Sequence, residues 1–376
     1  MRVYFDNAST TPLLTEVKAE MTKVINETFG NPSSIHLPGR QARIIIEESR
    51  KQIATGLNAS TGEIFFTSGA TEANNMALLA SIRDLGVKRI ISTNVEHHCI
   101  LHTLDYVADS ELAEVVYLKV NKQGAIAIEE LEALLTQSDK KSLVSIMHAN
   151  NEIGTLADLD AIATLCAKHK ALFHTDTAQT MAKLPLDVSA TPISFLCGAS
   201  HKFFGPKGVG FIYINNDNMI KPLFHGGDQE RGLRSGTENI YGIAGMAKAF
   251  TIALSQQEER KTYISKLKEY FCQRLLTEFD DVHINGSPDG LYYILSVSFP
   301  PTSKSEMLMM NLDIMGIAAS SGSACSSGVE NDSHVLEAIG HDPKRKTVRF
   351  SFSHLNTIEE VDYVVDKLKT VTPVVT

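Results

Sequence analysis

Between Glu63 and Gly210 the chain repeats one pattern: a short apolar run, then a stretch whose apolar residues return every three or four positions. The runs cover residues 64–67, 89–92, 115–118, 143–147, 171–174 and 193–197. Ala73, Met76, Ala77 and Ala80 mark one intervening helix, and Leu159, Ile162, Ala163 and Cys166 another. Strands that are apolar along their whole length are buried on both faces, and strands that alternate with helices run parallel. The pattern predicts an α/β chain with a large domain built on a mainly parallel sheet covered by helices. It also predicts where chemistry sits, because ligands of such sheets bind beyond the carboxyl ends of the strands.

Outside this region the signals are different. Residues 3–12 read as a short strand and a small polar turn, and 15–28 as a helix. Ala42, Ile45, Ile46, Ser49 and Ile53 mark the inner face of the next helix. Residues 240–279 form one long helical stretch, bent near 256–260. After it, 292–299 and 347–352 read as strands and 307–312 as a helix. Thr357-Ile358-Glu359-Glu360 has capping-box spacing and opens a last helix with Ile358, Val361, Val365 and Leu368 inward. These pieces predict a smaller α+β domain made of residues 1–12 and 259–376, with 13–258 forming the large one.

Composition narrows the function. With 376 residues and 43% apolar content the chain can bury a large core, and its net charge of −9 argues against a dominant nucleic-acid or membrane-surface role. No apolar segment has membrane-spanning length, and the N-terminus has no secretory signal shape. Five scattered cysteines without a Cys-x-x-Cys pair point to free thiols in a reducing, cytoplasmic setting and to no zinc site. No nucleotide-binding Gly-x-x-x-x-Gly-Lys-Ser/Thr loop is present.

Polar clusters follow the apolar runs. Ser68-Gly69-Ala70-Thr71-Glu72 opens a helix after a strand, which makes either an anion cradle or an ordinary helix cap. Glu96-His97-His98-Cys99 follows the next run, and His148-Ala149-Asn150-Asn151-Glu152 the fourth. Asp176, with Gln179 three residues on, stands at the end of the fifth. A carboxylate there needs a cation or donors to offset desolvation. Lys202 lies in Ser200-His201-Lys202-Phe203-Phe204-Gly205-Pro206-Lys207-Gly208, a loop joining two apolar strands. Partial desolvation lowers a lysine pKa toward the neutral amine that carbonyl chemistry uses. A phosphate cradle, a carboxylate for a ring nitrogen and a lysine for an aldehyde together meet the demands of pyridoxal phosphate (PLP). Further on, Ser320-Ser321-Gly322-Ser323-Ala324-Cys325-Ser326-Ser327-Gly328 surrounds one thiol with small residues that cannot anchor it in a core. Cys166 and Cys197 lie in apolar elements and read as core, and Cys99 is the second candidate for a reactive thiol.

Assembled, these motifs resemble those of the cysteine desulfurases, PLP enzymes of the class V aminotransferase group with fold type I. The resemblance spans Phe5-Asp6-Asn7-Ala8-Ser9-Thr10-Thr11-Pro12, Gly30-Asn31-Pro32-Ser33-Ser34, Thr67-Ser68-Gly69-Ala70-Thr71-Glu72, Asn150-Asn151-Glu152-Ile153-Gly154, His174-Thr175-Asp176, His201-Lys202 and Arg234-Ser235-Gly236-Thr237. The Ser-Ser-Gly-Ser-Ala-Cys loop matches the members with a long cysteine loop, which feed iron–sulfur cluster assembly or tRNA thiolation.

The resemblance implies roles. Lys202 carries the cofactor covalently, Asp176 pairs with its ring nitrogen, Gln179 contacts its phenolic side and His97 stacks on its ring. Ala70, Thr71 and His201 bind the phosphate, joined by Thr237 from the second subunit of a homodimer. Asn151 lies near cofactor and substrate, Arg349 binds the substrate carboxylate and Cys325 accepts the sulfur, with protonated His97 a candidate cation for its thiolate. The family's phosphate-binding serine falls on Ala199 here, so Ser200, one residue later, is the candidate substitute, and Asp228 stands where glycine is usual. The implied reaction turns L-cysteine into L-alanine and a Cys325 persulfide for an acceptor protein, a scaffold or a tRNA-thiolation factor. The alternatives are selenocysteine lyase chemistry on the same fold and a non-catalytic PLP-fold partner protein. Turnover of selenocysteine against cysteine tests the first, and absence of the cofactor's visible band the second.

Overall fold

In the computed structural model, residues 1–302, 305–322 and 333–374 are described. The chain begins with β1 (Val3–Tyr4), α1 (Thr15–Glu27) and α2 (Leu37–Gly56). Strand and helix then alternate: β2 (Ile64–Thr67), α3 (Ala70–Leu85), β3 (Arg89–Thr93), α4 (His98–Asp109), β4 (Glu114–Leu118), α5 (Ile128–Thr136), β5 (Ser142–Ser145), α6 (Leu159–Lys168) and β6 (Leu172–Thr175). The hairpin β7 (Phe195–Ala199) and β8 (Gly210–Ile214) follows, then α7 (Ile240–Ser255) and α8 (Gln257–Glu278). The last part holds β9 (His283–Asn285), β10 (Ile294–Phe299), α9 (Leu308–Ile314), β11 (Ile317–Ala318), α10 (His334–Ala338), β12 (Lys346–Ser351) and α11 (Ile358–Val371).

Seven strands form one sheet in the order β2-β8-β7-β6-β5-β3-β4. Every pairing from β7 out to β4 is parallel, and β8 runs antiparallel to both its neighbours. Burial on both sides explains the uninterrupted apolar runs except that of the edge strand β4, where Tyr117 is exposed. Ile91, Val144, Phe173, Leu196 and Phe211 face α2, α6 and α7, whereas Ile90, Leu143, Phe195, Cys197 and Ile212 face α3 and α4. The helical periods behave as expected, with Ala73, Met76, Ala77 and Ala80 of α3 and Leu159, Ile162, Ala163 and Cys166 of α6 all buried.

The run at 193–197 becomes a strand two residues later than its apolar residues suggest. Ser194 N bonds the Phe173 carbonyl, and the pairing with β8 carries the strand through Gly198 and Ala199. Opposite Ala199, Gly210 admits no side chain: a Cβ there would stand 2.4 Å from the Gly198 carbonyl oxygen and 2.7 Å from Gly69 Cα. This close approach sets the Lys202 turn against the turn that opens α3.

The long helical stretch divides at Gln256 into α7 and α8. Beyond it, β9, β10 and β12 form an antiparallel sheet in the order β12-β10-β9, and β1 pairs with β11. Phe271, Leu275, Phe350, Phe352 and Leu368 build a second core there, and Phe5 from the first strand region packs into it. The capping box of Thr357 and Glu360 is formed at the start of α11. Val361, Val365 and Leu368 are buried, but Ile358 is 52% exposed. As the first residue of the helix it precedes the turn that reaches the core.

Candidate active site

The parallel strands end at a cavity of about 510 Å³. That is within the range of small-molecule sites, which are roughly 300–1,000 Å³. Ala70, Thr71, His97, Asn151, Asp176, Gln179, His201, Lys202 and Arg349 all line it. Their positions follow from the topology. β2 delivers Ala70 and Thr71, β3 delivers His97, β5 leads to Asn151, β6 to Asp176 and Gln179, and β7 to His201 and Lys202. Arg349 comes from β12, far along the chain, and the N-terminal turn at Ala8, Ser9 and Thr10 forms another part of the wall.

At the α3 end, Gly69 occupies the N-cap position and no side chain caps the helix. Its first N–H groups therefore face the cavity with the positive end of the helix dipole behind them. Burial pulls the Glu72 pKa up, but hydrogen bonds from Arg234 and Ser68 outweigh it and hold the carboxylate below its usual range. Ser68 N donates to Glu72 Oε2 at 2.8 Å and Arg234 Nε to Oε1 at 2.9 Å, which locks the turn.

Asp176 is buried, and neutral donors surround both its oxygens. Oδ1 accepts from the Ala178 backbone N–H at 2.8 Å and from the Cys197 thiol at 3.2 Å, and Oδ2 accepts from Asn74 Nδ2 at 2.7 Å. No guanidinium or ammonium is hydrogen-bonded to it among the described residues, so no protein cation in hydrogen-bond contact competes with one in the cavity. Cys197, read as a core residue from its apolar strand, is buried and also donates here.

His97 caps α4, accepting from the Cys99 backbone N–H through Nδ1 at 3.1 Å. Burial pushes its pKa down despite the nearby Asp176 charge, and Lys202 adds to the effect. This desolvation works against the expected protonated His97 beside a thiolate. His201, bonded to Thr10 Oγ1 through Nδ1 at 3.2 Å, is likewise driven to about 4 by burial and by Lys202.

Lys202 Nζ donates to the carbonyls of Ala8 at 2.6 Å and Ser9 at 2.9 Å. Gln179 Nε2 donates to the same Ala8 carbonyl at 3.1 Å, and its Oε1 accepts from the Tyr293 hydroxyl at 2.5 Å. Arg349 is 2% exposed. It donates through Nη1 to the Asn151 carbonyl at 2.7 Å and through Nη2 to Asp6 at 2.9 Å and Ser9 Oγ at 2.6 Å. Its buried Nε has no acceptor among the described residues.

An uncapped helix end, a buried carboxylate held by neutral donors, a lysine and an arginine with an unused N–H therefore meet around one cavity. The donor set fits a phosphorylated aldehyde with a basic ring nitrogen. Residues 3–364 match the family described as aminotransferase class-V. The chain belongs to that family. It is similar to cysteine desulfurase IscS from Dictyoglomus turgidum, 38% identical over 99% of this chain and 96% of that protein. A putative cysteine desulfurase IscS 1 from Bacillus subtilis is 39% identical, covering 99% of this chain and all 100% of its own length. Among solved structures, a NifS-like protein superposes with a TM-score of 0.91 at 37% identity, covering 99% of each chain. Within the class-V family this chain is an enzyme of the cysteine desulfurase type, and its α/β architecture is that of fold type I.

Three candidate residues stand elsewhere. Ser200 is fully buried, and its Oγ points away from the cavity toward Gly205, where an added Cβ would stand 2.0 Å from it. That oxygen has no partner among the described residues. Thr237 is exposed on the segment between β8 and α7 and does not line the cavity. Cys325 lies outside the described residues. The described residues on either side of it converge: Ser333 Oγ donates to Glu152 Oε2 at 2.5 Å, and a Cβ on Gly322 would stand 3.0 Å from the same oxygen. Ser320, just before, pairs with Arg349 through both backbone groups. Cys99 does line the cavity, but burial and the Asp176 charge push its thiol up to about 12.

Sequence reasoning assigned no role to Ala8, Ser9 or Asp6, although they lie in one of the motifs singled out. Their contribution is through backbone carbonyls and a distant ion pair, which carry no residue-type signal. Asn74 and His174, which hold Asp176 from behind, were missed for the same reason: both read as ordinary members of a helix and a strand.

Proposed function

We propose that this cysteine desulfurase binds PLP in the cavity and converts L-cysteine to L-alanine, leaving the sulfur as a persulfide on Cys325. The convergence of Lys202, Asp176 and His97 on one cavity at the strand ends carries this reading. Lys202 would hold the cofactor aldehyde, the α3 N-terminus with Thr71 and His201 would hold the phosphate, Asp176 would pair with the ring nitrogen, and His97 would contact the ring. When bound, the cofactor supplies an electron sink for the substrate's Cα.

The chain's own residues do the rest. Arg349 and Asn151 orient the substrate: both line the cavity, and the guanidinium is already fixed by Asp6 and Ser9. Lys202 Nζ takes the proton from Cα and returns one. The Cys325 thiolate attacks the substrate sulfur, the carbon–sulfur bond breaks, the protein retains both sulfurs as a persulfide, and the carbon skeleton leaves as alanine. In support, the chain bracketing Cys325 is tied to Glu152 and Arg349 at the cavity edge. A similar protein, SspA, has been solved in complex with cysteine, at 31% identity with a TM-score of 0.81 over 94% of this chain. The persulfide passes to an acceptor protein, an iron–sulfur scaffold or a tRNA-thiolation factor.

The working form proposed is a cytoplasmic homodimer in which the partner's exposed Thr237 segment completes the phosphate site. No helix among the described residues is long and apolar enough to cross a membrane. The domain division proposed is 13–258 against 1–12 with 259–376. The grouping of Val3, Phe5 and Ala8 with the core of β10, β12 and α11 supports it. The test is a visible spectrum of the purified protein, then alanine release from L-cysteine, with borohydride reduction and peptide mapping. Cofactor label on Lys202 and its loss in Lys202→Ala are expected; label on Lys207 overturns the assignment.

A further inference from the structure

A second, smaller cavity of about 30 Å³ lies on the other side of the Lys202 turn, between the two cores. Phe203 and Phe204 form one wall, and Gln257, Arg260 and His354 another. The space suits two water molecules or one halide-sized ion.

What lines it is unusual for this protein. Four arginines are buried: Arg50, Arg89, Arg260 and Arg349. Arg50 pairs with Glu230 at 2.7 Å, Arg349 with Asp6 at 2.9 Å and Arg89 with Glu114 at 3.7 Å. Arg260, 8% exposed, has no carboxylate partner among the described residues. Its Nη2 donates to Gln256 Oε1 at 2.6 Å, and its guanidinium sits over the Phe204 ring at 5.3 Å. Its Nε is buried with no acceptor. Glu16 and Glu259 act on Arg260 through space, but unlike the other three this buried cation has no anion in direct contact among the described residues, and an uncompensated buried cation costs several kcal/mol in general.

Gln257 Nε2 is a buried donor with no acceptor among the described residues, and His354 Nδ1 is a second buried nitrogen without a partner there, a donor in the tautomer that carries its proton on Nδ1. Gln257 is the first residue of α8, whose N-terminus carries no side-chain cap, so the helix dipole adds positive potential at the same place. Lys183 lines the cavity with its Nζ 3.8 Å from the Tyr293 ring centre. Burial pushes its pKa well below the usual lysine value, with Lys202 contributing. Asn7 Oδ1 is an orphaned acceptor on the wall and calls for a water beside the ion.

We propose that a small monovalent anion of chloride or bromide size binds in this cavity, held by Arg260 with Gln257 and His354, and ties the start of α8 to the Lys202 turn. Divalent oxyanions are too large for the space.

The test uses the cofactor-loaded full chain. Crystals soaked in sodium bromide are expected to show an anomalous peak in the cavity beside Arg260 Nε. In solution the thermal midpoint is expected to rise by about 2 °C when free bromide reaches about tenfold its dissociation constant, relative to sodium gluconate at equal ionic strength. Arg260→Gln is expected to abolish both signals. Should that variant fail to fold, Gln257→Leu keeps the guanidinium and is expected to weaken bromide binding severalfold. A cavity holding only waters in the bromide-soaked crystals, or a bromide effect on stability equal in wild type and Arg260→Gln, overturns the proposal.

Discussion

Asn74 joins His174 to Asp176: its Nδ2 donates to Asp176 Oδ2 at 2.7 Å, and its Oδ1 faces His174 Nε2 at 3.2 Å. Because an amide oxygen only accepts, His174 carries its proton on Nε2, which leaves Nδ1 to accept from Ser145 Oγ at 2.9 Å. Burial holds His174 near a pKa of about 4, so the ring is neutral and the chain of bonds has one direction. Asp176 is aimed into the cavity by this string of neutral groups.

Asn74→Ala removes a bond to a charged acceptor and leaves the His174 N–H unpaired. A hydrogen bond to a charged group contributes about 1.5–3 kcal/mol, so turnover is expected to drop about 10- to 100-fold. The visible band of the bound cofactor should shift its pH dependence as well, because Asp176 then holds the ring nitrogen less well. An unchanged pH titration of that band would show that Asn74 does not position Asp176.

Cys325→Ala is expected to bind cofactor and substrate but to lose persulfide formation and nearly all alanine release. Cys99, held protonated with its pKa at about 12, is a poor nucleophile at neutral pH. Trapping with an alkylating agent and peptide mapping should therefore place the persulfide on Cys325 in wild type and in Cys99→Ala alike. A label on Cys99 refutes the choice of thiol.

Arg349→Lys keeps a positive charge but loses the planar fork that spans Asn151, Asp6 and Ser9. The KM for L-cysteine is expected to rise about 10- to 100-fold, with cofactor content retained. Loss of cofactor with an unchanged KM in the loaded fraction would assign Arg349 to the cofactor instead of the substrate.

Acid should destabilise the fold early. Burial holds His148, His174, His201 and His354 at about 4 in the folded protein. Unfolded, each takes up a proton near 6.5. Between these values the unfolded chain binds more protons, so stability is full above about 6.5 and is lost as pH falls toward about 4. Glu96 opposes this, because burial raises its pKa to about 8 and keeps it protonated in the fold while the unfolded carboxyl ionises. Four histidines against one carboxyl leave a net loss of stability as the pH falls through this range. Urea midpoints measured across this range check it; a flat profile would contradict the buried neutral histidines.

Much of this protein was legible in its residues alone. Strands buried on both faces must be apolar throughout, so β2 to β7 announced themselves and their order along the chain implied a parallel sheet. Polar residues placed just after such strands had to share one rim, which is why Asp176, His97, Asn151 and Lys202 were identified together. The Thr357 capping box is equally local, a matter of side chains reaching backbone groups within one turn. What depends on distant segments was not legible. No local rule brings Arg349 beside Asn151, turns Ser200 away from the cavity, or makes the Ala8 carbonyl the shared acceptor of Lys202 and Gln179. The downward pull on the His97 pKa also came only from the fold, because desolvation depends on what surrounds the ring and not on its sequence neighbours. Local order came from short-range periodicity and hydrogen bonding. The site's electrostatics came from burial, which only the packed chain decides.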